Sequence, residues 1–230
     1  MSNTPAKAPK APRRTALRQT TLSETIYSEI RTRLQRGTIG IDDRILDYEI
    51  ADEFNCTRMP VRQALLRLVN EGYLAGTFRG FIVPTLMPDD VREIFEVRRL
   101  LEPSAAASAA ATIDENCVDA MKRAYQQARK ACTKKDGDSM IEANVAFRDA
   151  WLGAVRNSRL QDAIRRFADH AQQVRLHTLR DHATQKIVVD GMKAILDGFN
   201  DRDPARIRSA MLDFITGAEH RYFMSLNREN

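Results

Sequence analysis

The sequence is short of the residues from which most active sites are built. Its 230 residues include three cysteines, four histidines and one tryptophan, and aromatic side chains make up only 7%. Cys56, Cys117 and Cys132 are odd in number, widely spaced and without a CxxC pair, which leaves neither a disulfide framework nor a structural zinc site. His170, His177, His182 and His220 form no HExxH motif and no cluster with cysteine, so a conventional metal centre or nucleophilic triad lacks its material. No apolar run comes near the roughly eighteen residues of a membrane span, and the first twenty residues lack the apolar core of a secretory signal. The expectation is a cytoplasmic chain with no membrane partner, no catalytic residues, no metal and no cofactor.

What is present describes a folded protein: 43% hydrophobic and 29% charged residues over a length that suits one large domain or two ordinary ones. The charge is unevenly placed. Lysine and arginine number 36 against 31 acids, and the excess of five equals Lys7, Lys10, Arg13, Arg14 and Arg18, in a stretch with no acid. With Pro5, Pro9 and Pro12 among them, residues 1–20 read as a disordered basic arm, either a solubilising leader or a non-specific phosphate-binding tail.

Order begins at Thr21-Leu-Ser-Glu24, a capping box, followed by Ile26, Ile30 and Leu34 at four-residue spacing up to a stop at Gly37. A second helix carries Leu46, Ile50, Ala51 and Phe54. Asn55-Cys56 makes a tight turn, and Thr57 caps a third helix with Val61, Ala64, Leu65 and Leu68 inward. From Tyr73 to Pro84 two β-prone runs flank a glycine-containing turn. Three helices and a hairpin in this order give a winged helix-turn-helix over residues 21–85, whose second and third helices are the DNA-reading pair. Residues 86–230 then read as all-helical. Breaks fall at Thr112-Ile-Asp-Glu115 (a second capping box), Lys135 to Asp138, Asn157-Ser158, Asp181 to Thr184 and Asp201 to Pro204, which suits a bundle of about six helices. The fold class is therefore mainly α, a winged helix-turn-helix followed by a helical bundle.

From Asn55 to Asn70 the chain holds Arg58, Arg62 and Arg67 and no acid, whereas residues 21–85 as a whole hold eight bases and nine acids. Arg58 and Arg62 are four apart and share a face in the first turns of the third helix, the part that enters a major groove. There an arginine contacts guanine or phosphate, and Thr57 can bond a phosphate as it caps. A solvated basic face is the plain alternative. The wider string Thr-Arg-x-Pro-Val-Arg-x-Ala-Leu-x-Arg-Leu from Thr57, then Glu-Gly-Tyr-Leu, then Arg-Gly-Phe-x-Val ending at Val83, closely resembles the DNA-binding domain of the GntR family of bacterial transcriptional regulators. The resemblance implies operator contacts by Thr57, Arg58 and Arg62, and a wing tip, Arg79 and Gly80, reaching the minor groove. An arginine that some members carry early in the second helix is replaced here by Tyr48, which brings a hydroxyl but no charge to that phosphate contact. Met59 replaces a commoner threonine and should change which base edge is favoured.

The helical part, from Val97-Arg98-Arg99-Leu100-Leu101-Glu102-Pro103 into the alanine run, resembles the opening of the FCD ligand-binding domain of the FadR subfamily. That resemblance implies a divalent metal held by an Asp or Asn, a His four residues on and two later histidines. The corresponding residues are Asn144, Arg148, Met192 and Phe214, and a guanidinium, a thioether and a phenyl ring cannot replace imidazoles as donors. No metal is expected there. A site rebuilt from His170 and His177, two turns apart, is the alternative to surface or core histidines. Arg148 sets a fixed positive charge where the cation would be, suited to bidentate capture of a carboxylate. Otherwise it pairs with Asp149 or Glu142, or caps a neighbouring helix. Arg98 is a second effector candidate, its alternative being an i,i+4 pair with Glu102. Met192 and Phe214 line the pocket with apolar surface or fill it.

These readings together describe a homodimeric regulator, in the first instance a repressor, that binds a pseudo-palindromic operator in double-stranded DNA and responds to a small organic acid. Two alternatives stay open: an effector-independent DNA-binding dimer, and a metal-dependent enzyme built in the bundle.

Overall fold

The computed structural model describes residues 21–41 and 43–229, so the arm expected over residues 1–20 lies outside the described residues. Thr21 opens α1 (Leu22–Arg36) with its hydroxyl accepting from the Glu24 amide at 3.2 Å. The capping box is only half formed, because the Glu24 carboxylate instead accepts from Arg67 Nη1 at 2.9 Å. Gly37 ends the helix at φ 72°, in the left-handed region where a side chain would be strained. The pair α2 (Asp47–Glu53) and α3 (Arg58–Asn70) follows, joined through Asn55 at φ 48°. Ile26, Ile30, Val61, Ala64, Leu65 and Leu68 are wholly buried together. Each of the larger side chains contributes about 1.5–3 kcal/mol by leaving water.

Three short antiparallel strands complete this part in the order β1 (Arg44–Ile45), β3 (Gly80–Ile82), β2 (Ala75–Thr77). Ile45 faces Phe81 and Thr77 faces Gly80 across the ladder. The sequence reading gives the hairpin but not β1, whose two residues carry no periodicity and owe their state to pairing with a distant strand. Gly80 sits at φ 117°, and a Cβ there would lie 2.6 Å from the Ile45 carbonyl oxygen. Its missing side chain is thus required inside the wing, for the approach of β1.

Beyond Val83 come α4 (Pro88–Ala109), α5 (Glu115–Lys134), α6 (Gly137–Leu152), α7 (Ser158–His170), α8 (Gln172–Thr178), α9 (His182–Asn200) and α10 (Pro204–Glu229). The caps fall at the expected breaks. Asp136, Asn157, Asp181 and Asp203 accept from the amides of Ser139, Leu160, Thr184 and Arg206 at 3.0, 3.1, 2.8 and 3.1 Å. At the second expected capping box the roles differ: Asp114 is the cap, accepting from Cys117 at 2.8 Å, and Thr112 donates to the Ala154 carbonyl at 2.9 Å. Seven helices stand where about six are expected, since the chain breaks at Ala171 without a glycine or proline to announce it. α4 packs along α10 and α7 and α5 along α6 and α9. Ala105, Ala106 and Ala109 allow the close approach, and Phe95, Trp151, Met192 and Phe199 fill a core separate from that of residues 26–83. None of the described helices is long and apolar enough to cross a membrane.

Candidate functional site

The reading face of α3 forms because Thr57, with φ −72° and ψ 159°, is extended at the cap while Val61 and Leu65 turn the opposite side inward. Thr57 makes no side-chain capping bond, which leaves its hydroxyl on the exposed side. Arg58 Nη2 donates to both oxygens of Asp47 at 2.6 and 2.8 Å, and Arg62 Nε lies 3.6 Å from the same carboxylate. Met59 is exposed beside them, and Tyr48, on the first turn of α2 next to Asp47, is half exposed. Thr57, Arg58, Met59, Arg62 and Tyr48 thus belong to the paired ends of two helices. Arg67 is different: it bonds Glu24 and Glu71, both at 2.9 Å, and lies 3.8 Å from the centre of the Tyr27 ring. Of the three arginines in the acid-free stretch, it holds the domain together.

In the wing, the Arg79 amide donates to Thr77 Oγ1 at 3.2 Å, which fixes the turn and leaves the Arg79 side chain outward. Phe78 is the residue that the sequence reading missed here. It stands fully exposed at the tip between β2 and β3, and its signal was available as an aromatic inside a turn, where nothing is left to bury it.

The helical domain gathers charge in its interior. Arg98, Arg148 and Arg175 are buried with two acids, Glu102 and Asp169. Arg98 Nε donates to Glu102 at 2.6 Å, so this arginine makes the i,i+4 pair given as its alternative. Arg148 is 5% exposed and bonds Asp149 Oδ1 at 3.1 Å, one of the partners foreseen, and Asp169 Oδ1 at 3.1 Å, which was not foreseen. Among the described residues its Nη1 has no hydrogen-bond partner. Arg175, on α8, donates to Gln172 Oε1 at 2.9 Å. Burial first, and then repulsion from Arg148 and Arg98, push its guanidinium down to about 9. Such a group is still charged at neutral pH, and the shift reflects its burial first and the neighbouring cations second. Arg148 behaves oppositely: burial works to lower it, but Asp169 and Asp149 hold it above its ordinary value.

Of the remaining candidates, Phe214 stands apart from Arg148. Met192 is wholly buried in the core. Phe214 lies against Gly191 and lines a groove of about 200 Å³ between α9 and α10 that has neither Asn144 nor Arg148 in its wall. Asn144, one turn before Arg148 on α6, is half buried. The break at Ala171 puts His170 and His177 on different helices. His170 Nε2 meets the Glu71 carbonyl at 2.9 Å, and His177 stands edge-on to Tyr222. Among the described residues no three His, Cys, Asp or Glu side chains stand together as a metal site. The set Asn144, Arg148, Met192 and Phe214 does not fit a divalent ion, since its one charged member is a cation already bonded to carboxylates.

Asp169, at the end of α7, joins the two cores. Its Oδ2 accepts from Arg31 Nε at 2.9 Å, from Arg31 Nη2 and from the Tyr73 hydroxyl at 3.1 Å. Its Oδ1 accepts from Gln35 Nε2 at 2.9 Å and forms an ion pair with Arg148 Nη2 at 3.1 Å. Burial works to raise the Asp169 pKa, but Arg148 and Arg31 hold it below the usual carboxylate range. The sequence did carry a signal for the buried arginines. Val91, Ile94, Phe95, Arg98 and Glu102 share one stripe of α4, and Ala171, Val174, Arg175 and Thr178 one stripe of the α8 segment, so charge sits where the helix period calls for apolar residues.

Two family models match. Residues 93–217 match the FCD domain, and residues 22–77 match the gntR family of bacterial regulatory proteins. The uncharacterized HTH-type transcriptional regulator YdhC of Bacillus subtilis is 23% identical over 208 residues, covering 89% of this chain and 93% of that protein. The gluconate operon transcriptional repressor of the same organism is 27% identical over 133 residues, which span 58% of this chain and 55% of the repressor. The solved structure of E. coli McbR/YncC superposes with a TM-score of 0.81 at 19% identity, over 90% of this chain and all of that one, and so shares the fold.

Proposed function

The chain belongs to the bacterial gntR family of transcriptional regulators that carry an FCD domain, and from that premise we propose that it acts as a homodimeric, cytoplasmic repressor. Two reading heads engage the half-sites of a pseudo-palindromic operator in double-stranded DNA. Thr57, Arg58, Met59 and Arg62 address the major groove, Tyr48 the flanking backbone, and Arg79 with Gly80 the minor groove. The observation that carries this reading is the shared exposed face of Arg58 and Arg62, held ready on Asp47 at 2.6 and 3.6 Å. Contact with phosphate or guanine exchanges that carboxylate for the nucleic acid. Phe78 joins the wing contact as an apolar wedge against the sugars of the minor groove.

The effector, in this reading, is a small carboxylate-bearing metabolite taken by Arg148 with Arg175. The support is the unpartnered Arg148 Nη1 and the excess of one positive charge among the buried groups. A specific observation favours a second reading: Met192 is wholly buried and Arg148 is already bonded to Asp169, as in a bundle that only dimerises. Selection of random duplexes by the full-length protein, followed by melting with gluconate, succinate and inorganic phosphate, tests both. Enrichment of an inverted repeat and stabilisation by an acid, lost in Arg148→Ala, is the expected result. Enrichment with no response to any acid supports the second reading, and no enrichment removes the first.

A further inference from the structure

Four donors and one further cation converge on Asp169, and they come from both sides of the molecule. Arg31 Nε, Arg31 Nη2, Gln35 and the Tyr73 hydroxyl belong to the DNA-binding head, and Arg148 belongs to the bundle. The Asp169 side chain is 1% exposed, so these groups stand in for the water it has lost. Arg148 is more deeply held than Arg31, whose side chain is 23% exposed, and it is the cation with a donor to spare. One buried negative charge therefore compensates two guanidinium groups in two domains at once.

We propose that Asp169 is a positioning residue that couples the charge state of the Arg148 site to the docking of the DNA-binding head. This rests on the reading above that the bundle takes an anion at Arg148. An anion bonded to Arg148 withdraws the inner cation from Asp169 and sets a second negative charge beside it. The carboxylate then costs more to keep buried, and it gives way toward Arg31 and solvent. Because Arg31, Tyr73 and the Gln35 side chain reach the bundle through this carboxylate, α1 loses its charged seat on α7 and the head loosens. The surrounding contacts do not replace it: Gln172 on the Gln35 carbonyl, His170 on the Glu71 carbonyl and Gln173 on the Pro84 carbonyl carry no opposite charge across the junction. The direction of the effect follows, since an anion releases the heads from a fixed spacing and so weakens operator binding.

The test is hydrogen exchange on the full chain, without DNA or effector. Arg148→Met removes the inner cation, and amides of residues 31–36 are expected to exchange roughly tenfold faster while those of α5 and α9 keep their protection. Asp169→Asn is expected to do the same, and the double variant no more than either, because both act through one carboxylate. Tyr73→Phe, which keeps the ring, is expected to give a smaller loosening and Arg31→Lys a partial one, so the link is testable should a buried variant fail to fold. Unchanged exchange of residues 31–36 in these variants, or effects of Arg148→Met and Asp169→Asn that simply multiply, would overturn the proposal. A separate arm adds gluconate or inorganic phosphate. Stabilisation of the wild type with faster exchange of α1, and stabilisation without that change in Asp169→Asn, is the expected pair. Absence of any stabilisation in the wild type contradicts the anion reading, whereas stabilisation with α1 still responding in Asp169→Asn contradicts the coupling alone.

Discussion

At Asp47 one carboxylate holds both guanidinium groups of the reading face, and the three basic residues of the acid-free stretch part company there. Arg58 and Arg62 share Asp47, and Arg67 is committed to Glu24, Glu71 and the Tyr27 ring. Arg62→Ala is therefore expected to weaken binding to the selected duplex by about 1–3 kcal/mol and relax preference at one base position, with little change in melting temperature. Arg67→Ala reverses the pattern. It is expected to lower stability by about 1 kcal/mol, since its ion pairs are half exposed and screened, and to leave sequence preference intact. Asp47→Asn removes the competitor of phosphate, and filter binding should show tighter binding to an unrelated duplex and a smaller ratio of specific to non-specific affinity. Sequence spacing alone placed Arg58 and Arg62 on one face, but it could not separate them from Arg67, because the acids that claim Arg67 lie on another helix and at the end of its own.

At the scale of elements, what was legible was whatever local chemistry decides. Thr21, Asn157, Asp181 and Asp203 cap helices because a short polar side chain beside free amides needs no distant partner. β1 and the break at Ala171 were not legible, being made by pairing and packing with remote segments. Phe214 stands apart from Arg148 for the same reason: aligning it with a ligand position says nothing of the glycine at 191 that draws its ring against α9. The wing offers a clean contrast. A methyl at Gly80 would meet the Ile45 carbonyl oxygen at 2.6 Å with φ at 117°, whereas one at Gly76 would meet nothing within 4 Å. Gly80→Ala is expected to destabilise by about 1–3 kcal/mol and to weaken DNA binding through a displaced hairpin, and Gly76→Ala to be close to neutral in urea unfolding.

For the whole molecule, the junction between head and bundle carries a pH dependence of its own. Burial, aided by Arg166, holds the His170 imidazole below its ordinary value, against the opposing pull of the Glu71 carbonyl, Asp169 and Glu71. The folded chain thus keeps His170 neutral where the unfolded chain takes up a proton. Its contribution is complete above about pH 6.5 and is lost as the pH falls toward the folded value. Asp169, held low by Arg148 and Arg31 against burial, stays ionised through this window, so the two effects separate. Melting from pH 7.5 to 5.5 should show a loss in the wild type that His170→Phe lacks. An equal loss in both would assign it to other groups.

Selecting duplexes with the full-length protein and sequencing what is retained decides whether the exposed face of α3 and the wing read a two-fold operator. An inverted repeat is expected with half-sites about one helical turn apart, occupied by two copies of the chain and lost in Arg58→Ala/Arg62→Ala. Retention that tracks salt concentration but no sequence would contradict it.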